Sequence, residues 1–302
     1  MRRQDRLVLF ISLFLVCTFL IDSHANSSGG ADACEKQIEK HKEDDLQWAD
    51  FSDRVIEFSG YKWRVKGKEK EKRYGPGNNY FGSGEKNVHV DEAGRLHLKI
   101  TYREGKWEAA EVALVDVLGH GLYEFRLDSR VDVLDPNVIF GLFLWEYQES
   151  YENAWRHNVA NEFDLEFGIW KDKRRKPAQY VCQPAEMDNI HHFDLDLSEE
   201  RKSTHSFEWT EHRMTCKSWY THAEHPKQKQ LITYWSYSGV GIPKGKPRVH
   251  LNFWPDREPP SDGEEHEVVI TSFRFVPAKE RKRPVEVETS SNFIWPQRFT
   301  RK

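Results

Sequence analysis

The chain has 302 residues, of which 31% are charged and 13% aromatic, with eleven Trp and a formal net charge of −4. That balance excludes the strongly basic face that a nucleic-acid partner calls for. The length allows one large all-β domain or two small ones, with a core that folds without staples.

At the N-terminus Arg2, Arg3 and Arg6 precede an apolar run from Leu7 to Ile21, followed by Ser23-His24-Ala25. A basic start, a short apolar stretch and a small-residue end predict a secretory signal peptide over residues 1–25 and a secreted, extracytoplasmic product. The run is shorter than the ~20 residues a span needs, so no stable membrane anchor is expected. Residues 26–47 read as a polar leader carrying Cys34 and the sequon Asn26-Ser27-Ser28.

From Trp48 onward strand signals recur at short intervals, and a single β domain is expected over residues 48–278. Val88 and Val90, a turn at Asp91 to Gly94, and then Leu96, Leu98 and Ile100 alternating with His97 and Lys99 predict a hairpin with one buried face. "GLYEFRLDSRV" alternates likewise, and "NVIFGLFLWEY" is continuously apolar, as a strand buried on both faces would be. "THSFEW", "CKSWYTH", "LITYWSY", "RVHLNFW" and "EVVITSFRF" extend the series. Many short strands with Gly, Pro, Asn and Asp turns predict an antiparallel β-sandwich or barrel, closed as two stacked layers. Residues 279–302 read as a charged tail whose "NFIWP" packs back on the domain.

Three cysteines, Cys34, Cys182 and Cys216, would remain after cleavage. The sequence has no Cys-x-x-Cys pair, so no zinc site is expected. Cys182 and Cys216 sit in alternating strand-like runs and are predicted to form a disulfide, leaving Cys34 unpaired.

The segment "NEFDLEFGIW", residues 161–170, raises a chemical question. In a strand Phe163, Leu165 and Phe167 share one face, and Glu162, Asp164 and Glu166 the other. Three carboxylates on one face repel one another, and no Lys or Arg alternates with them. Leaning together, the two Glu carboxyls would approach to roughly 5 to 6 Å, the separation at which one attacks an anomeric carbon while the other protonates the leaving oxygen. Asp164 between them would push the pKa values of the set apart. The alternative is a solvated acidic face.

"NEFDLEF" resembles the active-site strand of glycoside hydrolase family 16, the group of lichenases, laminarinases, agarases and carrageenases. "AEVALVDVLGHGLYEFRLDSRV", "VIFGLFLWEY", "STHSFEWTEHRMTCKSWY" and "VHLNFWPD" resemble further segments of that family in the right order, together spanning about residues 75–277. The resemblance implies a concanavalin-like β jelly roll with a concave substrate-binding face. It implies Glu162 as nucleophile, Asp164 as its electrostatic helper and Glu166 as general acid/base, with Asn252, Trp254 and Trp145 binding sugar. It implies a retaining endo-acting hydrolase of β-glycosidic bonds in a polysaccharide, with no catalytic cofactor. A structural Ca²⁺ is common in the family, and no ligand set for one is assigned here. The chain departs from the family at Ala160, where a Trp is frequent, and at "THAEHPKQKQ", which replaces a short connector. A binding-only jelly roll and a transglycosylase are the alternative functions. The basic run Lys171 to Lys176 after the acids is either a solvated loop or a contact for anionic glycans.

Overall fold

The computed structural model describes residues 47–147, 161–185 and 188–280. The predicted signal peptide, the leader with Cys34, Ala160 and the "NFIWP" tail lie outside them. Contacts divide the chain into Met1–Asp44 and Asp45–Lys302, and all described residues belong to the second unit.

Sixteen strands, numbered in chain order, occupy the described residues. One layer contains β1 (Phe51–Phe58), β2 (Tyr61–Lys66), β6 (Lys106–Leu114), β8 (Val138–Trp145), β9 (Glu162–Phe167), β10 (Ala178–Cys182), β11 (Ile190–Phe193) and β15 (Arg248–Pro255). Its lateral order is β11-β10-β9-β8-β15-β6-β2-β1. The other layer is β5-β16-β7-β12-β13-β14, made of β5 (Leu96–Arg103), β7 (Gly121–Asp128), β12 (Lys202–Thr210), β13 (Arg213–Tyr220), β14 (Leu231–Tyr237) and β16 (His266–Pro277), with β4 (Val88–Val90) beside β5. The β5–β6 hairpin carries the chain from one layer to the other. Every pairing is antiparallel except that of the short β3 (Tyr80–Phe81) with β6. The fold is an all-β jelly-roll sandwich, as the strand pattern and the resemblance lead one to expect.

Period-2 alternation builds this architecture. On β9 it sends Phe163, Leu165 and Phe167 into the core, where Phe163 meets Phe207 of the facing layer at 4.8 Å and Phe167 meets His205 at 4.9 Å between ring centroids. Each such buried aromatic contributes about 2 kcal/mol by leaving water. Polar groups also cross the core. Tyr180 and Ser218 hydroxyls lie 2.6 Å apart, and His205 spans Ser218 at 2.8 Å and Ser203 at 2.9 Å. Both ring nitrogens of the fully buried His205 are thereby satisfied by neutral hydroxyls, and burial pushes its pKa down to about 3.

The structure corrects the predicted disulfide. Cys182 and Cys216 are both buried free thiols. The first sits on β10 and the second on β13, in opposite layers. Both side chains point into the core and pack among its apolar residues, with no bond between the sulfurs. Burial raises the pKa of each thiol, and the proximity of the other sulfur adds to it at Cys216.

Candidate active site

The acids stand on the outer face of the first layer, and register decides what surrounds them. On β8, Trp145 lies opposite Glu162, Phe143 opposite Asp164 and Gly141 opposite Glu166. On β10, Val181 lies opposite Asp164 and Gln179 opposite Glu166, while the Gln183 N–H donates to the Glu162 carbonyl. Residues opposed in an antiparallel ladder share a face. The three carboxylates therefore form a row bordered by two glutamines on one side and by Trp145 and Phe143 on the other.

Asp164 is 4% exposed, while Glu162 and Glu166 are partly open to solvent. Burial raises the Asp164 carboxyl well above the ordinary carboxylate range, and the charges of Glu162 and Glu166 push it further; a hydrogen bond from Gln183 opposes them. That bond runs from Gln183 Nε2 to Asp164 Oδ2 at 2.6 Å, and the Ala185 N–H, donating to Gln183 Oε1, fixes which end of the amide faces the acid. Asp164 also shares a hydrogen bond with Glu162. A protonated Asp164 can thus donate this hydrogen bond to a Glu162 oxygen and hold that carboxyl group in place.

Glu166 is treated differently. Burial raises its pKa, while a hydrogen bond from Gln179 and the charge of Arg175 pull it back. Gln179 Nε2 donates to Glu166 Oε2 at 2.7 Å. The row therefore holds a proton-rich aspartate, a glutamate hydrogen-bonded to it, and a second glutamate whose proton affinity is set by burial against an amide and a cation.

Two strands away, Asn252 of β15 lies opposite Gly141 and is 5% exposed, its Oδ1 without a partner among the described residues. A Cβ at Gly141 would come within 2.5 Å of that oxygen, so the glycine leaves the line from Glu166 to Asn252 clear. Trp145 is half-buried, edge-on to His250 at 5.6 Å. Trp254 is only 8% exposed, clustered with Tyr74, Phe81, Ala109 and Ile139. A Cβ at Gly77 would lie 2.8 Å from its ring, so the loop ahead of β3 lies on the indole and leaves little face for a sugar.

Sequence reasoning missed Gln179, Gln183, Gly141 and a buried network behind Phe143. In that network Lys66 Nζ donates to Glu111 Oε2 at 2.9 Å, and Nδ1 of His250 lies 3.0 Å from Glu111 Oε1. Burial alone would raise Glu111, but Lys66 and His250 hold it below the ordinary range; burial lowers His250 despite its acidic partner. A signal for the glutamines was present, since Gln179 on β10 and Gln183 just past its end repeat the four-residue spacing of Glu162 and Glu166.

The basic run is largely neutralised at home. Lys171 pairs with Glu258 at 3.1 Å, Arg174 with Asp172 at 2.9 Å and Lys176 with Asp194 at 2.7 Å. For a structural Ca²⁺, the described residues offer Asp135, Asp262 and His266, whose ligand atoms lie within 4.8 Å of one another. They do not fit that ion. Both Asp135 oxygens already accept hydrogen bonds from Ser261, and a His nitrogen is a poor ligand for a cation that takes oxygen.

No protein-family profile matches the sequence, and no curated protein matches it. Solved structures share its fold. A glycoside hydrolase family protein from Mycobacterium thermorestibile superposes with a TM-score of 0.50 at 16% identity, over 74% of this chain and 99% of that one. An immunostimulatory antigen and pseudo β-1,3-glucanase of Mycobacterium tuberculosis gives 0.50 at 16% identity, over 72% and 91%. A structure described as a native glycosidic hydrolase gives 0.50 at 17% identity, over 74% and 95%.

Proposed function

We propose that this chain is a secreted, retaining, endo-acting glycoside hydrolase of the family 16 type, cleaving β-glycosidic bonds in a polysaccharide. The observation that carries the reading is the graded row of acids, with a buried Asp164 of raised pKa between two partly open glutamates of different surroundings. A solvated acidic face would have no such gradation. The jelly-roll fold shared with glycoside hydrolases supports the same reading.

In the first step a Glu162 oxygen forms a bond to the anomeric carbon as the glycosidic C–O bond breaks, and Glu166 transfers its proton to the departing oxygen. Asp164 steadies Glu162 through their shared hydrogen bond. In the second step Glu166, now ionised, takes a proton from water while the water oxygen bonds to the anomeric carbon and the bond to Glu162 breaks, giving net retention. The chemistry uses no metal or cofactor. Trp145, opposite Glu162, and Asn252, in line with Glu166, are proposed to contact the bound sugar, and Trp254 to support that wall from beneath.

Reducing-end release from a panel of neutral and sulfated β-glucans and galactans tests the reading. Glu162→Ala should abolish turnover, and azide should restore it with a product of inverted anomeric configuration, the anion attacking from the vacated face. Glu166→Ala should abolish cleavage of natural glycans yet spare the first step on aryl glycosides, whose leaving groups need little protonation. The second reading, a glycan-binding protein without turnover, is favoured by one fold neighbour being described as a pseudo-glucanase. It prevails if the wild-type chain binds glycans, shows neither hydrolysis nor transfer on any of them, and is indifferent to these substitutions.

A further inference from the structure

Arg175 is the one residue of the basic run that turns inward. Its guanidinium lies 4.0 Å from the centroid of the Trp170 ring, and its Nη2 donates to Gln179 Oε1. Trp170 in turn packs on the buried cluster around Trp254. The chain reaches this arrangement through two consecutive residues in the left-handed region, Trp170 at φ 46° and Lys171 at φ 65°. Side chains with a Cβ adopt that conformation at a cost of about 1 kcal/mol or more each, and it persists only where the surroundings impose it. The strain is located where it folds residues 170–175 back over β10.

A guanidinium can only donate hydrogen bonds. The amide oxygen of Gln179 must therefore face Arg175, and its NH₂ must face Glu166, to which it donates at 2.7 Å. Gln179 is 4% exposed, so water cannot easily take over either contact. Oε2 of Glu166 is thereby committed as an acceptor, and a proton on this carboxyl belongs on Oε1.

We propose that Arg175, clamped on Trp170, is a positioning residue that acts through Gln179 to fix which oxygen of Glu166 carries the catalytic proton. The inference rests on the hydrolase reading for the word catalytic, and on geometry alone for the relay. On each turn Oε1 gives its proton to the leaving oxygen as the glycosidic bond breaks and regains one from the attacking water. Among the described residues, other charged groups facing Glu166 are few. Asp164 and Glu162 share its strand; His192 of β11 lies beyond Gln179, in register with it. β8 and β15 present Gly141 and Asn252, and β6 presents Glu111, which Lys66 and His250 already engage. Arg175 is the cation among them that pulls directly on Glu166.

The relay is testable without turnover. In protein labelled with ¹³C at the Glu carboxyl, the Glu166 resonance, assigned by its loss in Glu166→Gln, reports its titration midpoint. Arg175→Leu removes a cation and frees the amide to flip, so the midpoint should rise by about half a unit or more. Gln179→Leu should raise it likewise, and the double variant no further than the larger single effect. In turnover, the alkaline limb of kcat/KM should move up with the midpoint. kcat on a natural glycan should fall about tenfold, against less than threefold on an aryl glycoside. A merely structural arginine would lower the melting temperature and leave the midpoint in place, which overturns the proposal, as would additive shifts in the double variant. Should Arg175→Leu fail to fold, Arg175→Lys keeps the charge but loses the planar fork, and its midpoint must still move. A midpoint that responds to Arg175 in a chain that turns over no glycan upholds the relay and sinks the hydrolase reading; active turnover with an unmoved midpoint does the reverse.

Discussion

Asp164 is the residue at which chemistry and stability pull apart. Its carboxyl is buried between two others and is raised well above its ordinary value. Between those two values the folded chain binds a proton that the unfolded chain has released, so its contribution to stability is full at low pH and is lost as pH rises through the folded pKa. Asparagine reproduces the protonated side chain: its oxygen can still accept from Gln183 and its NH₂ can face Glu162. Asp164→Asn should therefore raise the melting temperature at pH 7 by about 2–4 °C, the shift that ~1 kcal/mol produces in a domain of this size. The gain should shrink toward pH 4, while glycan cleavage is lost. Differential scanning calorimetry at the two pH values checks this, and equal melting temperatures at pH 7 would show that the acids store no repulsion.

At the scale of elements, β10 is where reading and structure part. Alternation identified β5, β7, β9, β12, β13, β15 and β16, because an inward apolar row is a local property written in consecutive residues. It also identified "QYVC" as strand-like. It did not say which strand pairs with β10, and the partners of a strand depend on the whole topology. Placed beside β9, the glutamines become hydrogen-bond donors to the acids; placed in the layer opposite β13, Cys182 is a free thiol in the core, as is Cys216. The basic run was ambiguous for a related reason: Glu258 and Asp194, which neutralise Lys171 and Lys176, come from distant parts of the chain. The thiols give a direct check. In a chain carrying Cys17→Ser and Cys34→Ser, Cys182 and Cys216 should ignore an aromatic disulfide reagent until denaturant is added, then react with two equivalents, and dithiothreitol should leave the melting temperature unchanged. A melting temperature that falls on reduction would restore the disulfide.

Across the whole molecule, buried titratable groups of opposite kind set the response to acid. His205 has its pKa lowered to about 3 by burial, and His250 is also lowered. The unfolded chain takes up these protons near pH 6.5 while the folded chain refuses them, so acidification through that point removes stability. Between pH 7 and pH 5 His205 alone costs about 2 kcal/mol, or roughly 4–8 °C. Asp164 and Glu166 run the other way: both are raised, and both give stability back as pH falls. Ordinary carboxylates titrate below this window, so the two sets face each other with little interference. The wild-type melting temperature should therefore fall less from pH 7 to pH 5 than the buried histidines alone would make it fall. Asp164→Asn combined with Glu166→Gln holds both sites neutral at every pH and removes the compensation, leaving the histidines unopposed. The double variant should start above wild type at pH 7 and descend by several degrees more across the window. Parallel curves would mean that the acids do not titrate there, and with that the graded row on which the proposed catalysis depends would fall.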